Sequence, residues 1–380
     1  MARAGSGTRL VDVALLFLRL GFTAFGGPAA HVAIMENEVV RRRRWLSSER
    51  FLDLLGAANL IPGPSSTELA IFIGYEQAGW PGLVLGGVCF ILPAAVMVSA
   101  LAWLYVRYGS VPQVAGVLYG IKPAVIAVVA QALWGLFPKA IKRSPWLAGV
   151  GVASCAASAL NVDTVVVLVG AGLVCVARRA LAKGEGAGRA VLFGGLAATG
   201  AASAAPFSLF ALFSAFLKAG AVVFGSGYVL LPLLRADLVE GRHWLTEKQL
   251  LDAVAIGQVT PGPVFTTATF IGYLMGGGLG ALVATVGVFL PGFLLVSVTR
   301  PLVARVRRSE VASAFLDGVN VAALALMAVV MVQLARAALV DIPTILIAAV
   351  GALLLLRWKV SSSWLVVGAA LVGALTHGLR

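Results

Sequence analysis

The chain has 380 residues, 60% of them hydrophobic and only 12% charged, and carries a formal net charge of +13. A soluble domain has about 25% charged residues, so that class is excluded. Nucleic acid is no expected partner either, because the cations lie mostly between apolar segments, where they set topology in a lipid bilayer.

Arg3 and Arg9 precede the first apolar stretch. No small-residue cleavage site follows it, so this stretch is expected to stay. Leu10 to Val40 reads as a broken hairpin, interrupted at Phe25-Gly26-Gly27-Pro28, that enters and leaves on the cytoplasmic side beside Arg41 to Arg44. Phe51 to Glu76 reads as a second hairpin turning at Pro62-Gly63-Pro64. Gly82 to Tyr105 and Val114 to Phe137 are long enough to cross, at about 20 residues per span. Trp146 to Leu160 and Thr164 to Ala177 form a shorter pair, and Val191 to Ala205 a short crossing. Gly280 to Val298 and Val311 to Val332 are further spans. The fold class is all-α and polytopic; the alternation of a β-barrel is absent.

The chain is written twice. Phe17-Leu18-Arg19 matches Phe216-Leu217-Lys218, Arg44-Trp45-Leu46 matches His243-Trp244-Leu245, and Pro62-Gly63-Pro64 matches Pro261-Gly262-Pro263, all at one offset. After one deletion, Phe72-Ile73-Gly74-Tyr75 matches Phe270-Ile271-Gly272-Tyr273 and Gly120 falls on Gly318. Residues 10–180 form the first repeat, 181–206 a linker holding the short crossing, and 207–380 the second repeat. Cations cluster early in the first repeat, at Arg41 to Arg44, and late in the second, at Arg300, Arg305, Arg307 and Arg308. The positive-inside rule therefore predicts two repeats of inverted topology, each with broken, re-entrant helical hairpins.

The breaks carry the chemistry. Pro62 and Pro64 cannot continue a helix and Gly63 permits a tight turn, so the next helix starts at Ser65 with free N–H groups and a positive dipole end. Such an end binds anions, and Pro261-Gly262-Pro263 offers the same device. Gly26 and Gly27, with Gly225 and Ser226 in the second copy, break the first hairpin of each repeat. Ser65, Ser66 and Thr67, and Thr266 and Thr267, place hydroxyls where they either donate to an oxyanion or cap the helix. Asn59 and Gln258 are matched amides before the breaks and either ligate or bond the exposed backbone. Arg19 and Lys218 share one position inside an apolar segment, where a centred charge costs about 2.5–3.5 kcal/mol, and are read as substrate-binding. Lys122 lies in or near a helix start and either snorkels or binds the anion. Glu68 follows the hydroxyl run; a carboxylate there repels an anion unless protonated, which makes it a candidate for proton coupling. Asp53 and Asp252 are matched and read as partners of basic residues, with Ser47 and Thr246 as N-caps and Thr246 to Gln249 as a capping box.

Cys89, Cys155 and Cys175 sit apart in apolar segments, and His31, His243 and His377 are too scattered for a metal site. No phosphate-binding loop is present, no cofactor is called for, and no nucleophile–base constellation supports an enzyme. A channel remains a rival that saturable, slow flux would exclude. Small residues are plentiful enough for close helix packing and leave a homodimer open.

The segments "FGGPAAHVAIMENEVVRRRRWLSSERFLDLLGAANLIPGPSSTELAIFIGY", "GIKPAV", "FGSGYVLLPLL" and "TPGPVFTTATFIGY" resemble the chromate ion transporter family over nearly the whole chain. The resemblance implies a multi-pass protein of the cytoplasmic (inner) membrane that exports chromate and confers chromate resistance, with the FGGP and PGP regions important for transport. The second copy departs at Gly227 in place of Pro28 and at Val264-Phe265 in place of Ser65-Ser66, so the halves are expected to contribute unequally. Sulfate, similar to chromate in charge and tetrahedral shape, is the expected competitor or alternative cargo.

Overall fold

The computed structural model describes residues 6–25, 27–108, 111–141, 144–160, 162–182, 207–223, 230–299, 309–358 and 360–378. The linker's expected crossing and Arg300 to Arg308 lie outside them. In the first repeat the helices are α1 (Ser6–Thr23), α2 (Gly27–Glu36), α3 (Ser48–Ala58), α4 (Ser65–Tyr108), α5 (Pro112–Ile141), α6 (Pro145–Ala159) and α7 (Thr164–Ala182). In the second they are α8 (Leu209–Val222), α9 (Leu230–Leu234), α10 (Glu247–Val259), α11 (Thr267–Thr299), α12 (Glu310–Ala338), α13 (Ile342–Arg357) and α14 (Ser362–Gly378). A π-helical turn extends α2 over Asn37–Arg42 and α9 over Arg235–Gly241. Five helical stretches among the described residues are long and apolar enough to cross a membrane.

Local chemistry sets these boundaries. Ser47 accepts the Arg50 N–H and starts α3. Thr246 and Gln249 form a capping box that starts α10. The α4 helix begins at Ser65, directly after Pro64. It then passes through Ala78 (φ −142°) and Gly79 (φ +64°), which split it into pieces 65–77 and 80–108; α11 breaks at the matching Gly276 and Gly277. At 1.5 Å per residue, α3 is about 16 Å long and 65–77 about 20 Å, each short of the roughly 30 Å hydrocarbon core. The chain between Ser48 and Gln77 is thus a re-entrant hairpin with Pro62-Gly63-Pro64 at its tip. The second copy starts differently after its turn: Val264–Thr266 is a 3₁₀ turn and the α-helix begins at Thr267. Lys122 corrects one expectation. It lies well inside α5, because the helix starts at Pro112, a residue suited to a first turn, and runs through Pro123.

The repeats exchange equivalent contacts. The long α5 packs along α13 and α14, while its counterpart α12 packs along α6 and α7. A Cβ on Gly120 would strike the Ala369 carbonyl; one on the matched Gly318 would strike the matched Ala171 carbonyl. Equivalent patches meeting reciprocally are the signature of a two-fold relation, and the arginine asymmetry of the sequence lays that axis in the membrane plane. Two composite bodies result. One holds the hairpins and first long helix of both repeats, with α1 on α4, α8 on α11, and α4 against α11. The other is a frame of α5–α7 and α12–α14.

Candidate functional site

The two Pro-Gly-Pro turns meet the two first-hairpin breaks crosswise. Gly63 donates its N–H to the carbonyl of Val223 (2.6 Å), and Gly262 donates its N–H to the carbonyl of the matched Ala24 (2.9 Å). Each turn therefore docks on the break of the other repeat. Gly63 (φ +129°) and Gly262 (φ +91°) adopt backbone that an L side chain rarely takes. Gly262 faces Ala94, and Gly63 faces the matched Gly292. Both turn glycines and all of Ser65 to Glu68 are buried.

The first-copy turn holds the polar groups. His31 is buried between Ala24 and Ser66: Nε2 lies 3.0 Å from the Ala24 carbonyl and Nδ1 3.3 Å from Ser66 Oγ. The carbonyl can only accept, so Nε2 carries the hydrogen, and in the neutral ring Nδ1 accepts from the serine hydroxyl. The ring also stands edge-on to Phe90 at 5.6 Å. Thr67 Oγ1 and both oxygens of Glu68 are buried without a hydrogen-bond partner. Glu68 is 0% exposed. Its carboxylate folds back over the tip of its own helix into the space left by the missing side chain of Gly63, with Gly292 alongside. Negative charge at a helix N-terminus is favoured by the dipole, so this carboxylate lies where an anion would be drawn.

The second-copy turn is spent on itself. Thr266 Oγ1 donates to the Pro263 carbonyl (2.8 Å) and Thr267 Oγ1 to the Val264 carbonyl (2.9 Å). Pro261 and Pro263 are buried. Gln258 and Thr267 share an apolar void of about 10 Å³ with Leu230 and Val264, at most the room of a single water. The matched amides diverge, since Asn59 is exposed at the C-cap of α3 whereas Gln258 is buried. Gly27 (φ +76°) opens α2. Gly26, Gly225 and Ser226 lie outside the described residues.

The structure places the charged candidates elsewhere. Arg19 is 59% exposed and stands 3.9 Å from Glu38, which also meets Arg42 (2.5 Å) and Arg43 (3.7 Å). Lys218 lines a cleft of about 230 Å³ with Asp163, Thr164 and Asp237, the counterpart of Glu38. Asp237 pairs with Arg242 at 3.1 Å. The arginine then stacks on Trp244, as Arg43 stacks on Trp45. These cations thus attend matched acids beside the π-helical turns. Lys122 Nζ stands 3.1 Å from Asp252 Oδ1, and Tyr105 donates to Asp252 Oδ2 at 2.9 Å. The reading of Asp252 as a partner of a basic residue holds. His31, on α2 just past the first break, is the polar group at this turn that the sequence reading leaves out, since it treats histidine only as a metal ligand; its place six residues after Phe25 is the available signal.

Inverted repeats, re-entrant hairpins and broken ends meeting in a buried polar spot define a membrane transporter architecture. A chromate transporter family profile matches residues 11–176 and 210–374, one match per repeat. The chain belongs to that family. It is 37% identical over 376 residues to a chromate transport protein of Cupriavidus metallidurans, covering 97% of this chain and 94% of that one. It is 35% identical to a probable chromate transport protein of Synechococcus elongatus (90% and 88% covered) and 33% identical to a chromate transport protein of Pseudomonas aeruginosa (90% and 86%). No solved structure matches.

Proposed function

We propose that this protein is a secondary transporter that exports chromate across the cytoplasmic membrane, with the oxyanion passing the crossed Pro-Gly-Pro turns. The observation that carries the reading is the reciprocal pair of bonds, Gly63 to Val223 and Gly262 to Ala24. It gathers all four chain segments at one buried place. The polar wall there is Gly63, Ser65, Ser66, Thr67 and His31. Glu68 sits buried at that wall without a partner, where the neutral carboxyl is favoured, and an ionised Glu68 and a chromate dianion exclude one another. A proton on Glu68 therefore accompanies entry of the anion. Nearness of identical oxygens, not chromium, is what such a wall reads, so sulfate competes at the same site.

Energetics favour export without an ATPase. One charge crossing 100 mV is worth about 2.3 kcal/mol. An inside-negative membrane thus expels a bare dianion with about 4.6 kcal/mol, over three decades in concentration, and with about half that if the Glu68 proton leaves with it.

The test is radiolabelled chromate flux in proteoliposomes at several pH values, wild type against Glu68→Gln. We expect saturable flux, inhibition by sulfate, and a pH dependence that the glutamine variant lacks. An unaltered pH profile in Glu68→Gln removes the coupling role; no chromate flux in the wild type removes the transport assignment.

A further inference from the structure

Lys122 and Asp252 form a buried ion pair between the two composite bodies. Lys122 is on α5 of the frame; Asp252 is on α10 of the hairpin body, and Tyr105, which hydrogen-bonds the same carboxylate, lies at the end of α4 in that body. The lysine side chain is 12% exposed and the aspartate 0%. Other ion pairs described here, such as Arg42 with Glu38, Arg50 with Glu76 and Arg179 with Glu310, each stay within one body. The pair is also confined to one end of the two-fold: the mate of Lys122 is Asn320, and the mate of Asp252 is Asp53.

A salt bridge buried for stability alone is a poor device, since apolar residues of similar size often do as well. This one has the parts of an exchange. Lys122 is a cation whose charge is occupied by a carboxylate of the same chain. Exposed Lys248 stands one turn before Asp252 on the same helix, a cation that an approaching anion would meet first. Tyr105 also donates to Asp252, so the carboxylate has a second donor besides the lysine. Among the described residues, Tyr105 hydrogen-bonds the pair and Lys248 lies one turn away on α10.

We infer that Asp252 is a resident counter-ion of Lys122 that the transported oxyanion displaces, and that this exchange releases the hairpin body from the frame at one end of the path. The inference rests on the proposed oxyanion transport and assigns the anion's second contact and the latch it opens.

The experiment uses full-length protein in proteoliposomes, with chromate as the probe and sulfate-dependent thermal shift of purified protein as a second readout. Asp252→Asn leaves Lys122 unoccupied. Its KM for chromate should fall about 10- to 1000-fold, the range by which a neighbouring charge alters a carboxylate's proton affinity, and its sulfate-induced shift in Tm should grow. Lys122→Gln should raise KM, and the double variant Lys122→Gln/Asp252→Asn should fold but keep the high KM. The charge swap Lys122→Asp/Asp252→Lys should fold and remain slow. Wild-type KM in Asp252→Asn, or full flux in the charge swap, overturns the exchange and leaves a structural pair. Absence of wild-type flux, with the enlarged sulfate shift of Asp252→Asn intact, would overturn the transport reading and spare the counter-ion assignment.

Discussion

Alanine at the two turn glycines should separate folding from transport. Both positions have a backbone φ well into positive values, +129° at Gly63 and +91° at Gly262, and a side chain there costs about 1–3 kcal/mol. The packing terms differ. At Gly262 the new Cβ would sit 2.7 Å from Ala94 Cβ and 3.3 Å from the Gly21 carbonyl, with no flexible group to yield. Such overpacking adds about 1–3 kcal/mol. At Gly63 the obstacle is the end of the Glu68 side chain, which can rotate, so the packing term is small. For a chain of this length a stability change of 1 kcal/mol moves Tm by a little over 1 °C, from about 2.1 cal/mol/K of unfolding entropy per residue. Gly262→Ala should therefore lose about 3–7 °C and Gly63→Ala about 1–4 °C. Transport should show the reverse lack of mercy: Gly63→Ala pushes Glu68 off the turn and should cut chromate flux at least tenfold despite its milder instability. Gly79→Ala is the control, with φ +64° and nothing within 4 Å of its Cβ; it should lose about 1–4 °C, as Gly63→Ala does, and keep its flux. Flux and Tm measured on the same preparations decide the matter. Near-wild-type flux in Gly63→Ala, or a larger Tm loss there than in Gly262→Ala, refutes the reasoning.

Two more outcomes follow from the same geometry. His31→Ala strips the acceptor from Ser66 and should lower kcat/KM for chromate about tenfold with a loss of about 1–3 kcal/mol in stability, whereas His31→Gln, which can both donate to Ala24 and accept from Ser66, should recover much of both; equal damage from Gln and Ala in flux and melting assays would show that hydrogen bonding at the ring is not what matters. Gly120→Ala drives a Cβ into the Ala369 carbonyl while Gly135→Ala meets nothing within 4 Å, so the first should lower Tm by about 1–4 °C and the second should not; similar melting of the two would contradict the close crossing of α5 and α14.

Much of this was legible where the cause is local. Pro64 forces α4 to begin at Ser65, and Ser47 and Thr246 cap α3 and α10 as their side chains demand. The repeat was readable too, and it carries through to the turn before each cap: Arg44 and His243, matched in sequence, both take positive φ, +51° and +54°. Non-local pairings were not legible. Ser66 lies 35 residues from His31, and Tyr105 lies 147 from Asp252. Nothing in an apolar helix says which neighbour it will choose, so the exchange of α13 and α14 for α6 and α7 left no trace in composition. Arg19 shows the same limit. Its flanks are apolar, but it stands on the exposed face of α1, within reach of an acid that sequence alone does not bring near it.

The interlocking of the long helices governs how the protein can be made. Until synthesis reaches α13 and α14, α5 has no mates for much of its length, and α6 and α7 wait for α12. Neither half can finish its own bundle. Severed at the linker, the halves would each be orphans, yet co-produced as two polypeptides they should find one another and assemble. Such a chain is, in its construction, an antiparallel pair of proteins whose partner has been tethered.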